Sequence, residues 1–211
     1  MEVKFFGANC VQLVTKQRTV TVDDNLVSLG AKSVIKESDT LFYTSKHIEP
    51  SPLPKVSFIM DIPGEFELGN MMIQGYAVRS HMDEPKQRSG VLYKFVSDRT
   101  TVVVAGHIHP EVDTDFLESL GVVDVLILPV GGHGYTLDAV GALRVSNKIN
   151  PRYLVPTHYA DSGLSYEVPQ DALEVFLTEL KQEIETLDSL KFKGGFLGEV
   201  ANTQVVVLNR Q

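Results

Sequence analysis

The sequence predicts a mixed α/β (α+β) fold in which two sheets pack face to face and helices cover the outside. Short β-rich segments separated by turn residues fill the first hundred residues, whereas strands and helices alternate further on. This order is typical of two mixed sheets flanked by helices, although a plain α+β arrangement gives the same pattern. With 211 residues, 43% of them hydrophobic, the chain is expected to form a single domain over residues 1–211.

The first half consists of short segments rich in β-branched and aromatic residues, which favour strands. The predicted strands are residues 3–6, 11–14, 19–22, 33–36, 41–43, 57–60, 71–78, 91–96 and 101–105. Pro50, Pro52 and Pro54 interrupt this series, and proline lacks the amide proton that a strand ladder needs. The segment around these prolines is therefore predicted to be a surface loop.

The second half alternates helices and strands. Predicted helices span residues 114–120 and 137–149, and predicted strands span residues 122–128, 153–156 and 204–208. A long amphipathic helix is predicted over residues 173–187, with Pro169 in its first turn, because apolar residues recur there at steps of three and four. Its apolar residues are Leu173, Phe176, Leu180, Ile184 and Leu187. Gly194, Gly195 and Gly198 predict a turn before the last strand.

Charge and cysteine content restrict the location and the partners. The chain has 19 basic and 27 acidic residues, a net charge of −8, so its average surface does not favour nucleic acid. No apolar run near Met1 has the length of a signal peptide or a membrane span. The single cysteine, Cys10, is typical of a reducing compartment and is expected to be a small buried hydrophobe. We therefore expect a cytoplasmic protein with no membrane or nucleic-acid partner.

Several motifs point to one family. Residues 125–132 end in Pro129-Val130-Gly131-Gly132, and residues 150–159 end in Pro156-Thr157-His158-Tyr159. Upstream lie Asp61-Ile62-Pro63-Gly64-Glu65-Phe66-Glu67 and Ser80-His81-Met82-Asp83. These segments resemble the metallo-β-lactamase superfamily, and in particular a short, uncharacterised hydrolase-like branch related to sugar-lactone hydrolases. The resemblance runs almost end to end and implies a four-layer αββα sandwich.

The resemblance also implies a metal site whose motifs are degenerate in this chain. Relatives supply a Thr-His-x-His-x-Asp-His loop, a lone histidine, a Gly-Asp pair and a late histidine. The loop here is Thr44-Ser45-Lys46-His47-Ile48-Glu49-Pro50, which keeps only His47 and substitutes Glu49 for the aspartate, and Gly106-His107 replaces the Gly-Asp pair. The implied ligand set is His47, His81, His107 and His158, with Glu49 as an oxygen ligand. Asp23 corresponds to an aspartate that orients the loop from behind the ligands.

Four histidines could hold one divalent ion, zinc or manganese, but Ser45, Lys46, Pro50 and His107 each weaken the site, so the alternative is no metal. Any one histidine, taken alone, is more often a surface or core residue than a ligand. His109 is expected to face away from His107. His133 is expected to be a solvent-facing turn residue, with a substrate contact as the alternative. Glu65 and Glu67 face one side of a strand and are better explained as solvated charges than as an acid–base pair.

Two functions follow from this site. The first is a mononuclear metal-dependent hydrolase acting on a small-molecule ester, lactone or phosphoester, as the resemblance implies. The alternative is a pseudoenzyme that uses the same scaffold to bind a small ligand or a protein partner. Nuclease activity is a weaker third interpretation, because the relatives that process RNA carry a further substrate-clamping domain and complete motifs. Association into a homo-oligomer, which is common in the branch, is left open by the sequence.

Overall fold

The structure, a computed structural model, describes residues 1–37, 39–52, 58–180, 184–192 and 202–211. Its elements, in chain order, are β1 (Glu2–Gly7), β2 (Cys10–Val14), β3 (Thr19–Val22), β4 (Thr40–Phe42), β5 (Phe58–Met60), β6 (Gly64–Leu68), β7 (Met71–Val78), β8 (Gly90–Ser97), β9 (Thr100–Val104), α1 (Thr114–Leu120), β10 (Val125–Pro129), α2 (Ala139–Ile149), β11 (Tyr153–Thr157), α3 (Leu173–Glu179), β12 (Ile184–Leu187), β13 (Leu190–Lys191) and β14 (Gln204–Leu208). They confirm the mixed α/β class.

The strands form two sheets. The six-stranded sheet has the order β13-β1-β2-β3-β4-β5, and the eight-stranded sheet has the order β12-β14-β11-β10-β9-β8-β7-β6. In the larger sheet β9, β10 and β11 are parallel neighbours. Because the carboxyl ends of parallel strands meet at one edge of a sheet, the loops after β9, β10 and β11 lie side by side.

The main core lies between the two sheets, where alternate residues of each strand point inward. Phe42 from the smaller sheet packs edge-to-face against Tyr93 and Phe95 from the larger one, with ring centroids 5.0 and 5.3 Å away. These rings are fully buried. Apolar burial of about 1.5–3 kcal/mol per large side chain makes this contact between the sheets a major source of stability.

The outer faces are covered in two different ways. The helices pack on the eight-stranded sheet, where Phe176, Ala142 and Val145 bury against Leu126. On the six-stranded sheet, consecutive turns over residues 26–30 take the place of a helix among the described residues, and Leu26 covers part of that face. Cys10 is buried there, as predicted. No helix in the described parts of the chain is both long and apolar enough to cross a membrane.

The predicted strand at residues 33–36 is wrong. Its backbone donors bond to side chains rather than to a neighbouring strand: Val34 N donates to Asp24 Oδ2 at 2.8 Å, and Ile35 N donates to Ser33 Oγ at 3.2 Å. Asp24 also accepts from the Ser33 and Ser51 hydroxyls, both at 2.8 Å. A buried carboxylate therefore organises this segment as a loop.

The long helix predicted over residues 173–187 is also wrong beyond its first half. Helix α3 ends at Glu179, and Ile184–Leu187 forms strand β12, which pairs in parallel with β14. Pro169 precedes the helix, whose N-cap is Ala172, rather than lying in its first turn. The apolar spacing suits either structure, and pairing with β14 decides between them. Pro54, Ser57 and the predicted turn at Gly194, Gly195 and Gly198 lie outside the described residues.

Candidate functional site

Three adjacent loops bring aromatic side chains together at the carboxyl edge of the larger sheet. His107 follows β9, Tyr135 follows β10 and His158 follows β11 directly. The rings of His107 and His158 have centroids 4.8 Å apart, and Tyr135 lies 4.6 Å from His107 and 5.8 Å from His158. The structure thus brings together two of the predicted ligands and adds a tyrosine.

Burial keeps both of these imidazoles neutral. Burial lowers the pKa of His107 well below 6.5, and the neighbouring His158 and His81 act in the same direction. Burial lowers the pKa of His158 to about 4, although its hydrogen bond to Gln170 opposes the shift. His107 Nε2 is buried and has no hydrogen-bond partner. Neutral imidazoles present a lone pair, which is the form that binds metals.

The orientation of His158 is fixed by Gln170. Nδ1 of His158 lies 3.1 Å from Gln170 Oε1, and Gln170 Nε2 donates to the Val168 carbonyl at 2.8 Å. Because the Gln170 amide is held this way, Nδ1 of His158 must donate, which leaves the lone pair on Nε2. His158 also adopts a left-handed backbone with φ of 53°.

His81 lies on a turn held by a buried carboxylate. Asp83 accepts from the backbone N–H groups of Ser80 and Ser89, both at 2.8 Å, and from the Ser89 hydroxyl at 2.6 Å. The backbone N–H of His81 donates to the His107 carbonyl at 2.7 Å. Nδ1 of His81 is buried without a hydrogen-bond partner, and burial lowers the pKa of this ring below 6.5. The turn therefore ties His81 to the His107 loop.

The loop over residues 44–50, whose sequence departs from the family motif, lies at the edge of the cavities. Lys46, His47 and Glu49 are exposed, whereas Ser45 is buried. Ser45 Oγ accepts from the His47 backbone N–H at 3.2 Å. His47 lines one cavity with His81 and His107, and His47 and Glu49 line a second cavity with His158.

Asp23 lies behind the site in a closed hydrogen-bond network. Its carboxylate accepts from Thr44 N at 2.7 Å, from Thr44 Oγ1 at 2.6 Å and from Asn9 Nδ2 at 2.7 Å. The Thr157 hydroxyl in turn donates to Asn9 Oδ1 at 2.7 Å. Burial raises the pKa of Asp23 to about 6, against the effect of these hydrogen bonds. The network joins the start of the 44–50 loop to the strand that carries His158.

Two cavities flank the tyrosine. One has a volume of 280 Å³ and includes His81 and His107 in its walls, and the other has 180 Å³ and includes His158. His47, Ile48 and Tyr135 line both. The two are therefore neighbouring halves of one cleft, and together they reach the size of small-ligand pockets, roughly 300–1,000 Å³.

The residues fit part of the coordination shell of one ion. With metal–nitrogen bonds of about 2.0–2.1 Å, ring centroids 4.8 Å apart allow one ion to contact both His107 and His158. The unpaired Nδ1 of His81 is a suitable further donor in kind. However, no three His, Cys, Asp or Glu side chains in the described ranges are grouped closely enough to hold an ion as they stand. A two-ion site is accordingly not assembled by these residues.

The other residues considered from sequence do not line the cleft, although the His109 ring lies 6.0 Å from that of His81. His109 Nδ1 accepts from Glu111 N at 3.1 Å and does not line either cavity. His133 is an exposed turn residue whose Nε2 lies 3.0 Å from Asp171 Oδ1. Glu65 and Glu67 are exposed on β6.

Several residues of the site, Tyr135 and Gln170 among them, were not predicted from the sequence. Tyr135 separates the two cavities, and Gln170 orients His158. The glycines before Tyr135 predict an exposed turn. They do not indicate that an aromatic ring lies beside the histidines. Gln170 lies in a segment that was predicted to start a helix, so nothing in its pattern pointed to the site.

The fold and the strand-end site together define a protein of the metallo-β-lactamase type. The family model described as a β-lactamase superfamily domain matches residues 2–158. The chain therefore belongs to the β-lactamase superfamily. None of the curated proteins compared matches the sequence.

Solved structures agree with this assignment at the level of the fold. A candidate zinc-dependent hydrolase of the metallo-β-lactamase superfamily from Thermotoga maritima aligns with a TM-score of 0.72 and 20% identity, over 99% of this chain and 98% of that one. A candidate metal-dependent hydrolase from Parabacteroides distasonis gives 0.67 and 14%, over 99% and 93%. An isothiocyanate hydrolase from Delia radicum gut bacteria gives 0.65 and 12%, over 92% and 100%. These identities are low, so the likeness concerns the fold alone.

Proposed function

We propose that the chain is a small-molecule hydrolase that uses one divalent ion, zinc or manganese, bound by His107 and His158 and by His81, whose ring must shift toward that pair because the three are not grouped closely enough as they stand. The observation that carries this proposal is the pair of buried imidazole nitrogens, His81 Nδ1 and His107 Nε2, that have no partner. A buried polar atom without a hydrogen bond costs about 1–3 kcal/mol, so a ligand that contacts both atoms is favoured. The names of the metal-dependent neighbours support the same class.

The residues of the cleft prepare such a site in three ways. Lowered pKa values keep His107 and His158 neutral and able to donate lone pairs at neutral pH. Gln170 leaves Nε2 of His158 free for a ligand. Burial raises the pKa of Tyr135, so its hydroxyl stays protonated and can donate a hydrogen bond to a substrate oxygen.

A bound ion would supply Lewis acidity toward an ester, lactone or phosphoester. His47 and Glu49 stand on the cavity walls and are the proposed completing ligands, which requires the 44–50 loop to close over the cleft. Asp23 is the proposed anchor of that loop through Thr44. The net charge of −8 and the single cysteine support a cytoplasmic enzyme for small molecules rather than for nucleic acid.

The test compares hydrolysis of an aryl ester, a lactone and a phosphodiester by protein loaded with zinc or manganese and by chelated protein. We expect metal-dependent turnover of at least one substrate. In His107→Gln, which lacks one of the proposed metal ligands, we expect turnover to fall by about 100-fold or more. His133→Gln, a histidine outside the cleft, is the matched control and should retain activity. Equal turnover with and without metal would overturn the proposal.

The second candidate is a metal-free domain that binds a small ligand or a protein partner. It is motivated by Ser45 and Pro50 in the 44–50 loop, which stand at positions where the family motif has histidines. A bound ion stabilises the folded state by mass action, so the two candidates differ in melting temperature. An unchanged Tm after chelation and after addition of zinc or manganese would favour the second candidate.

A further inference from the structure

The His158 ring is confined by two aromatic neighbours that do not distinguish its two edges. The centroid of the Tyr135 ring lies 5.8 Å from that of His158, and the centroid of the Tyr166 ring lies 5.4 Å away. Such contacts restrict the plane of an imidazole, but a half-turn about the Cβ–Cγ bond leaves that plane unchanged. The half-turn exchanges each ring nitrogen with a carbon. A polar contact must therefore decide which edge of His158 presents a nitrogen to an ion.

Gln170 makes that contact. Its Oε1 lies 3.1 Å from Nδ1 of His158, so the ring has the orientation that places an N–H group against this acceptor. After a half-turn the same oxygen would face a C–H group, and the hydrogen bond would be lost. The amide cannot turn its own N–H groups toward the ring without losing the bond from Nε2 to the Val168 carbonyl. Gln170 thus selects both the ring orientation and the tautomer of His158.

The backbone around Gln170 is fixed against the end of β10. Asp171 N donates to the Gly131 carbonyl at 2.7 Å, and Ala160 N donates to the Asp171 carbonyl at 2.9 Å. Gly131 packs against the amide itself, because a Cβ at this position would collide with Gln170 Oε1 and with the His158 carbonyl. The first glycine of the turn after β10 therefore does more than turn the chain. Its missing side chain leaves the space in which the Gln170 amide reaches His158.

We propose that Gln170 is a positioning residue for the metal ligand His158, and that it sets how tightly the site holds its ion. A group that accepts from the second N–H of a ligating histidine typically contributes roughly ten- to a hundredfold in metal affinity. The amide oxygen is neutral, so it orients the ring but raises its basicity less than a carboxylate in the same place would. This inference rests on the metal site of the proposed function and does not depend on hydrolysis.

The first test is the tautomer of His158 in chelated protein, observed above neutral pH by long-range proton–nitrogen NMR. The chain has six histidines, and the spectrum of His158→Gln identifies the resonances of this ring. We expect the proton on Nδ1 in the unmodified protein and in Gln170→Glu, whose carboxylate also accepts from it. Gln170→Leu removes the acceptor and should abolish the preference for this tautomer. A proton on Nε2 in the unmodified protein, or an unchanged tautomer in Gln170→Leu, would overturn the proposal.

The second test is the dissociation constant for zinc, measured by competition with a chromophoric chelator. Gln170→Leu should bind zinc about 10- to 100-fold more weakly, whereas Gln170→Glu should match or exceed the affinity of the unmodified protein. Gln17→Leu, the same replacement at an exposed position between β2 and β3, is the control and should bind zinc normally. Equal weakening in the leucine and glutamate variants would show that the amide only fills space, and would overturn the proposal.

The outcomes separate this role of Gln170 from the proposed hydrolase. Zinc binding that depends on Gln170 but supports no turnover would refute the hydrolase alone. Zinc-dependent turnover with the same zinc affinity in Gln170→Leu as in the unmodified protein would refute the role of Gln170 alone. Absence of zinc binding by the unmodified protein would overturn both.

Discussion

The site has two walls, the Asp23 network behind the cleft and the imidazoles that line it, and they differ in how completely their polar atoms are satisfied. On the Asp23 side, the carboxylate accepts three hydrogen bonds of 2.6 to 2.7 Å, and Thr157 extends the network through Asn9. On the imidazole side, His81 Nδ1 and His107 Nε2 are buried without partners. The first wall is complete within the chain, and the second requires an additional group.

This contrast separates residues whose hydrogen bonds hold the strand ends in place from residues whose unpaired polar atoms can bind a ligand. Removing a satisfied buried group should mainly cost stability, because its partners lose their hydrogen bonds. Removing an unsatisfied one should mainly cost ligand binding, and it can even relieve a desolvation penalty.

Asp23→Ala should produce the largest loss of stability. Thr44 N–H, Thr44 Oγ1 and Asn9 Nδ2 would all lose their acceptor in a buried position, at a cost of about 3–5 kcal/mol in the free energy of unfolding. Urea unfolding followed by circular dichroism measures it. Glu118→Ala, at an exposed helix position, is the control. A cost below about 1 kcal/mol would mean that the network does not hold this wall together.

Gly106→Ala should cost more stability than Gly121→Ala, although both glycines have φ of 61°. A Cβ at Gly106 would collide with the Thr44 side chain, whereas a Cβ at Gly121 meets no atom within 4 Å. We expect about 1–3 kcal/mol for Gly121→Ala from backbone strain alone, because its ψ of −149° lies in a region that is essentially confined to glycine. For Gly106→Ala we expect the clash with Thr44 to add about 1–3 kcal/mol to the backbone strain. Equal costs in thermal or urea unfolding would show that Thr44 is not packed against the His107 loop.

The pH dependence of stability should carry opposite contributions from the two walls. The pKa of His158 falls from 6.5 to about 4 on folding, so its contribution is present above pH 6.5 and is lost as the pH falls toward 4. The pKa of Asp23 rises from 3.8 to about 6, so its contribution is present below pH 3.8 and is lost as the pH rises through 6.

His158→Gln in chelated protein should therefore flatten the fall in unfolding free energy between pH 6.5 and 4, whereas Asp23→Asn should steepen it. Unfolding free energies at several pH values, taken from urea curves, measure both slopes. Slopes identical to that of the unmodified protein in both variants would contradict the assigned protonation states.

The smallest effect is expected at Glu65 and Glu67. Both are exposed on β6, and Glu65 only accepts a hydrogen bond of 3.2 Å from Gln74. Their replacement by glutamine should change stability by less than about 0.5 kcal/mol and leave turnover unchanged. A strong loss of turnover in Glu65→Gln or Glu67→Gln would instead support a role for these two carboxylates as an acid–base pair.

The sequence predicted the strand-end positions of the site better than its loops. His158 follows a buried parallel strand in a recognisable motif, so its place at the sheet edge could be inferred from local pattern. Strand β12 could not, because its apolar spacing also suits a helix and only pairing with the distant β14 selects the strand. The loop at residues 33–36 depends on the buried Asp24 carboxylate, a tertiary contact that no periodicity records.

The same reason explains what was missed in the cleft itself. Tyr135 and Gln170 reach His158 through turns whose course depends on the packed fold. His47 and Glu49, which were expected among the ligands, lie on the same cavity walls as the predicted histidine ligands. Sequence motifs name residues that can bind, and the backbone of each loop decides which of them meet.

The most direct test of the account is the number of zinc or manganese ions bound per chain, counted by native mass spectrometry. One ion is expected in the unmodified protein and in His133→Gln, and none in His107→Gln at the same metal concentration. Two ions per chain, no ion in the unmodified protein, or an unchanged count in His107→Gln would contradict it.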